Sequence, residues 1–199
     1  MLSSSACSAS SLPALPGVFV ITGPSGVGKG TLIRLLRERV PELAMSVSAT
    51  TRRPRPGETQ GVDYHFISDE EFARRVDAGE FVEWAEYSGR RYGTLREELD
   101  RHTSGGHPVV LEIEVQGARQ VRETLPSATQ IFIEPPDEAT LRERLIGRGT
   151  DDPEQVERRL KVAEEELAAA AEFPHVVVND RLHDAAEQLE SIVRGTLTA

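Results

Sequence analysis

The sequence predicts an α/β fold in which a parallel central sheet carries helices on both faces. Three observations lead there. Short apolar runs recur along the chain: GVFVIT (17–22), PVVLEIEV (108–115), ATQIFIE (128–134) and HVVVN (175–179). Helical stretches lie between them, and strands that alternate with helices pair in parallel, since each crossover returns the chain to the same end of the sheet. The first run leads directly through a Gly-rich turn into a helix over about Lys29 to Arg39. Finally, 199 residues with 38% hydrophobic content suit one ordinary domain with room for small insertions.

Taken in order, residues 1–16 are Ser-, Ala- and Pro-rich without a basic residue. That composition lacks the positive start and apolar core of a secretory signal, so a disordered tail is expected. Residues 17–48 open the core, and 100–199 complete it. Residues 49–99 break the strand–helix rhythm and read as an inserted subdomain. It begins with TTRRPRPGETQG and contains a helix whose Ser68 and Glu71 form a capping box. Within it, a strand over Phe81 to Tyr87 would place Glu83 on one face with Phe81, Ala85 and Tyr87. The run ending in Glu112 and Glu114 would put those carboxylates on one strand face, at the end where open α/β sheets bind ligands. A second interruption, about 147–155, is loosened by Gly147 and Gly149 and reads as a mobile lid. Asp152 and Pro153 then cap and start a helix over 154–172 with an apolar stripe at Val156, Leu160, Ala163, Leu167 and Ala171. On that helix Arg159 flanks the stripe and Arg158 points away from it, and Arg144 flanks the Leu141–Leu145 stripe of the preceding helix.

The stretch VITGPSGVGKGTLI, Val20 to Ile33, contains the frame Gly23-x4-Gly28-Lys29 of a phosphate-binding loop. Its glycines let backbone N–H groups converge on phosphate oxygens at a helix N-terminus, and Lys29 adds a point charge. Gly30 stands where a metal-binding hydroxyl is common, and the hydroxyl comes one place later at Thr31. Neither D-x-x-G nor N/T-K-x-D occurs in the chain, which excludes the usual GTPase switch arrangement. A net charge of −10 disfavours a nucleic-acid face. No apolar run approaches the roughly 18 residues of a membrane span. The single cysteine, Cys7, forms no internal disulfide, as suits a reducing cytoplasm.

The run Gly-Lys-Gly-Thr resembles the loops of nucleoside monophosphate kinases. SVSATTRRPRPGETQGVDYHF, EFVEWAEYSGRRYGT, LEIEVQGARQV, LIGRGTDD and VVND, in this order, resemble guanylate kinase from about Gly17 to the C-terminus. The resemblance implies a three-layer P-loop kinase fold with an inserted GMP-binding subdomain, and transfer of the ATP γ-phosphoryl group to GMP. It implies ATP contacts at Gly23, Pro24, Ser25, Gly26, Val27, Gly28, Lys29, Gly30, Thr31 and Asn179, although an Asn179-Asp180 turn after a strand is an alternative. Magnesium would be held by phosphates and water, with no direct protein ligand.

On the acceptor side, Glu83 can accept both donors of guanine's Watson–Crick edge; otherwise it is an exposed carboxylate or a structural ion pair. By resemblance Ser48 and Thr94 help hold the base, and Arg52, Arg55, Tyr64 and Tyr92 hold the GMP phosphate. Arg144, Arg148 and Arg159 match lid arginines that, with Lys29 and Arg52, stabilise the transferring group. Glu112 and Glu114 face the acceptor, and Glu114 departs from the family's frequent Asp, which leaves it either a ligand or a partner for an arginine. The implied partners are ATP and GMP; oligomeric state is open. The alternative function is a catalytically dead guanylate-kinase-like interaction module.

Overall fold

The computed structural model describes residues 17–87, 89–146 and 153–198, with side-chain detail in the last segment from 157 on. The expectations for the tail, for Arg148 and for Asp152 lie outside these residues. In chain order the strands are β1 (Val18–Thr22), β2 (Ala44–Met45), β3 (Ala49–Thr50), β4 (His65–Phe66), β5 (Phe81–Tyr87), β6 (Arg90–Leu95), β7 (Val109–Glu112), β8 (Thr129–Glu134) and β9 (His175–Val178). The helices are α1 (Lys29–Arg39), α2 (Asp69–Asp77), α3 (Arg96–Ser104), α4 (Val115–Thr124), α5 (Glu138–Ile146), α6 (Pro153–Leu167) and α7 (Leu182–Leu197).

Five strands form the central sheet in the order β2-β7-β1-β8-β9, and every neighbouring pair is parallel. Strand β1 is buried along its whole length, as its apolar, β-branched sequence requires of a strand covered on both faces. On one face Phe19, Ile21 and Ile133 pack with Leu32 and Leu36 of α1 and with Ala186 and Leu189 of α7. On the other, Val20, Leu111 and Phe132 meet Ala118 and Val121 of α4, Leu99 of α3 and Phe173. Each fully buried Val, Leu, Ile or Phe side chain among these contributes about 1.5–3 kcal/mol. This is the three-layer α/β arrangement the strand–helix rhythm predicts. Helix α1 begins at Lys29, so the Gly-rich turn lies between the end of β1 and a helix N-terminus.

The inserted region has its own sheet, β4-β3-β6-β5, in which β6 runs antiparallel to both β3 and β5. Its small core stacks Phe72 of α2 on Phe81, ring centroids 4.4 Å apart, with Ala49 and Leu95 beside them. Ser68 caps α2 by accepting the Glu71 N–H at 3.1 Å. The reciprocal half of the capping box does not form, because Arg74 and Arg75 take the Glu71 carboxylate at 2.8 Å each.

Three further expectations change. The β5–β6 register shifts between Phe81 and Glu83, a bulge that gives Val82 an extra place. Phe81 therefore packs in the small core with Phe72, Val82 joins the central core, and Glu83 does not share a face with Phe81. Strand β7 ends at Glu112, and Glu114 is the extended residue before α4. The helix expected over 154–172 stops at Leu167, and a 3₁₀ turn, Ala170–Glu172, follows. The tighter turn rotates the apolar stripe, so Ala169 and Ala170 are buried and Ala171 is exposed.

Candidate functional site

The turn after β1 depends on glycine at three places. Gly23, Gly26 and Gly28 have φ of 141°, 90° and 98°, a region side-chain-bearing residues avoid. A Cβ at Gly23 would lie 2.3 Å from the Ile133 carbonyl oxygen, and one at Gly28 would lie 2.7 Å from Asn179 Nδ2. Gly30 differs, because a Cβ there would meet only the Glu112 carboxylate oxygens at 3.7 and 3.8 Å. Packing does not exclude a hydroxyl residue at 30, so its absence is a chemical choice of this loop. Lys29 is buried and curls back onto its own loop, donating from Nζ to the Gly23 carbonyl at 2.5 Å and to the Pro24 carbonyl at 3.3 Å. The loop opens onto a cavity of about 680 Å³ that also reaches Ser46, Ser48, Tyr64, Glu112 and Glu114. The Ser46 hydroxyl is buried without a partner among the described residues.

A second, smaller cavity of about 260 Å³ adjoins the first. Ser48, Tyr64, Glu112 and Glu114 line both, and Glu83, Ala85, Tyr92 and Gly117 line the second alone. Glu83 is 5% exposed, and Thr94 Oγ1 donates to its Oε1 at 2.7 Å. Burial pushes its carboxyl up to about 7, and Thr94 only partly opposes this. The space for that side chain comes from α4, where a Cβ at Gly117 would lie 2.5 Å from Glu83 Oε2. Gln120 of α4 clamps the same strand, accepting from the Trp84 N–H at 3.1 Å and donating to the Trp84 carbonyl at 2.7 Å.

At the rim, Arg52 forks onto Glu58 with two hydrogen bonds of 2.8 Å, and its guanidinium lies 5.2 Å from the Tyr64 ring centroid. Glu58 also accepts the Arg55 N–H at 2.7 Å. These bonds, that to Arg52 first, bring its carboxyl down to about 2, and Glu58 in turn raises the Arg52 pKa. Tyr64 meets Tyr92 edge to face at 6.1 Å, and burial raises the Tyr64 phenol. Three carboxylates gather near Lys29. Burial raises the Glu112 carboxyl, while Lys29 opposes the shift and Glu114 adds to it. Glu166 of α6 is raised by burial and by the neighbouring Glu114.

A profile of the guanylate kinase family matches residues 17–196. The chain belongs to the guanylate kinase family. It is 56% identical over 179 residues to the guanylate kinase of Thermosynechococcus vestitus, across 89% of this chain and 94% of that one. The guanylate kinase of Frankia casuarinae is 53% identical over 180 residues, across 90% of this chain and 98% of the other. A crystal structure of guanylate kinase from Anaplasma phagocytophilum superposes with a TM-score of 0.73 at 32% identity, covering 94% of this chain and 89% of that one. Guanylate kinases are nucleoside monophosphate kinases, ATP:GMP phosphotransferases, and the chain is an enzyme of that class. These relatives favour that activity over a dead interaction module.

Of the expected loop residues, Pro24, Ser25, Gly26, Gly28, Lys29, Gly30 and Thr31 line the larger cavity, whereas Gly23 and Val27 are buried and do not; Ser48, Tyr64, Glu83, Tyr92, Glu112 and Glu114 meet around the two joined cavities. Glu112 and Glu114 reach them from a strand end and a helix cap, without sharing a strand face. Arg55 is exposed at the rim. Arg144 donates to the Val27 carbonyl at 3.3 Å and the Asn179 carbonyl at 2.9 Å, and Asn179 Nδ2 donates to the Val27 carbonyl at 2.8 Å. Both thus brace the back of the loop. Arg159 is half-buried and Arg158 exposed, as their angular positions on α6 predict. Sequence reasoning missed Glu58, Gly117 and Glu166. A lone glycine inside a helix was a readable signal for Gly117. Glu58 gains its meaning from the turn that brings it back onto Arg52, six residues earlier, and Glu166 from its approach to Glu114.

Proposed function

We propose that the larger cavity takes ATP, the smaller one takes GMP or dGMP, and the chain forms ADP and the nucleoside diphosphate in purine nucleotide metabolism in the cytoplasm. The observation that carries this reading is Glu83. It is a buried carboxylate with one hydrogen bond from Thr94, facing a pocket of purine size. Guanine presents N1–H and an N2 amino group on one edge, and a single carboxylate accepts both. Adenine presents an acceptor at N1, which leaves the buried carboxylate unpaired.

In this account Arg52, Arg55, Tyr64 and Tyr92 hold the acceptor phosphate. Glu58 occupies the Arg52 fork in the empty site, and the phosphate displaces it. The loop amides from Gly23 to Thr31 receive the ATP phosphates, and Lys29 leaves the Gly23 carbonyl to neutralise charge on the transferring group. Arg159, together with Arg148 from the lid at 147–155, adds cations there. Arg144 and Asn179 act by holding the loop. The acceptor is already an anionic oxygen, so no base has to remove a proton. Thr31 and Glu112 offer hard oxygen donors beside the loop, a set that fits magnesium held through water and phosphate. When bound, that ion offsets phosphate charge.

A coupled assay for ADP, with GMP, dGMP, AMP and ribose phosphates offered in parallel, tests the reading. Turnover is expected with the guanine nucleotides only. Equal rates with AMP, or none with any acceptor, would contradict it.

A further inference from the structure

Outside the cavities, one more carboxylate is fully buried among the described residues. Glu98 of α3 is 0% exposed. Its Oε1 accepts the Val47 N–H at 3.2 Å and lies 3.3 Å from His102 Nε2. Its Oε2 lies 3.4 Å from His65 Nε2 and accepts from Arg101. A fully buried carboxylate is retained at a cost unless such donors surround it, and removing one partner of the set is far more disruptive than the set is stabilising.

Its place in the topology gives the cluster a meaning. The chain passes from the central sheet to the inserted sheet between β2 and β3, at 46–48, and returns from β6 to β7 through α3. Glu98 stands on the returning path and bonds the outgoing path at Val47. It also touches β4 through His65, whose N–H donates to the Ser48 carbonyl at 2.9 Å. Ser48 follows Val47, Tyr64 precedes His65, and both line the two cavities where they join.

We propose that Glu98 is a positioning residue for the acceptor site: it ties both crossings between the sheets together and so fixes Ser48 and Tyr64 toward the acceptor nucleotide. Without its carboxylate the outgoing crossing and β4 lose their common anchor. The phosphate loop faces Ser46, Ser48 and Tyr64 across the larger cavity, but among the described residues it has no bond to Glu98, His65, His102 or Arg101. The expected signature is therefore one-sided, with acceptor binding impaired and donor binding kept. The inference rests on the reading that the smaller cavity takes GMP.

The test is steady-state kinetics of Glu98→Gln with GMP and ATP varied separately, beside thermal unfolding of the same protein. The amide keeps the shape and an acceptor for Val47 but gives up the charge facing Arg101. KM for GMP should rise about tenfold, equivalent to about 1.4 kcal/mol, with KM for ATP within about twofold of the parent. His65→Leu removes one arm only and should raise KM for GMP roughly threefold in a protein that keeps its anchor at Val47. A lowered melting temperature with both KM values unchanged in both variants would overturn the inference and leave a purely structural cluster. A parent enzyme that does not turn over GMP would instead overturn the reading of the cavity.

Discussion

On the proposed reading, the phosphate loop and the acceptor pocket reach the same end, binding an anionic nucleotide, by different means. The loop is contiguous, Gly23 to Thr31, and works through backbone groups whose conformation three glycines make accessible. The acceptor pocket gathers residues from the outgoing crossing, the residue before β4, β5, β6, the end of β7 and α4, and it works through charge held in a buried setting. A backbone cradle suits phosphates that every triphosphate shares. Discrimination between bases needs a side chain whose hydrogen-bonding pattern only one base satisfies.

That contrast can be attacked at either end. The largest effect is expected from Lys29→Ala, which should lower turnover about 10³-fold whatever the acceptor, as a lost transition-state contact does; a rate assay with GMP checks it. Glu83→Gln turns one acceptor oxygen into a donor and should lower kcat/KM for GMP about 10²-fold while leaving KM for ATP unaltered. The same variant should unfold at a higher temperature than the parent at pH 8. The folded carboxyl at about 7 lies above the unfolded 4.5, so the parent's stability is complete below pH 4.5 and falls as pH rises through 7, by about 3 kcal/mol. Melting curves of both proteins at pH 4.5 and pH 8 should therefore converge at the acidic end.

On the proposed reading the ionised carboxylate binds guanine, so KM for GMP should fall about tenfold between pH 6 and pH 8 in the parent, and Glu83→Gln should flatten that profile. Gly117→Ala tests the same pocket from α4. Its methyl needs the space of Glu83 Oε2, so KM for GMP should rise roughly fivefold with KM for ATP unchanged. The smallest effect is expected away from both cradles, at the cap of α2. Ser68→Ala should cost about 1 kcal/mol in denaturant unfolding and leave both KM values alone.

The same contrast explains what could be read from the residues in order. A loop made of consecutive positions is legible, and α1 begins at Lys29 where the motif requires. Strands β1 and β8 follow from apolar runs that fill both faces of a parallel sheet, and β9 from an apolar run at its edge, where Val177 is buried and Val176 and Val178 are exposed. The acceptor pocket was legible only as single residues in a family pattern. The bulge at Val82 is not legible in FVEWAEY, which holds no Gly or Pro to mark a break in the strand, and it decides which way Phe81 points. Glu112 and Glu114 alternate like strand residues, but Val115 starts a helix because its apolar face, Ala118 and Val121, packs under the sheet. The Glu58 fork is a turn contact with Arg52, and the Glu166 approach to the loop and the Glu98 bonds to Val47 and His65 join residues far apart in the chain; no spacing rule announces them.

The guanine-reading role of Glu83 is tested most directly by comparing kcat/KM for GMP and IMP, which differ only in the N2 amino group. The account predicts about 10²-fold preference for GMP in the parent, because IMP leaves one oxygen of a buried carboxylate unpaired. Equal efficiencies with the two acceptors would contradict it.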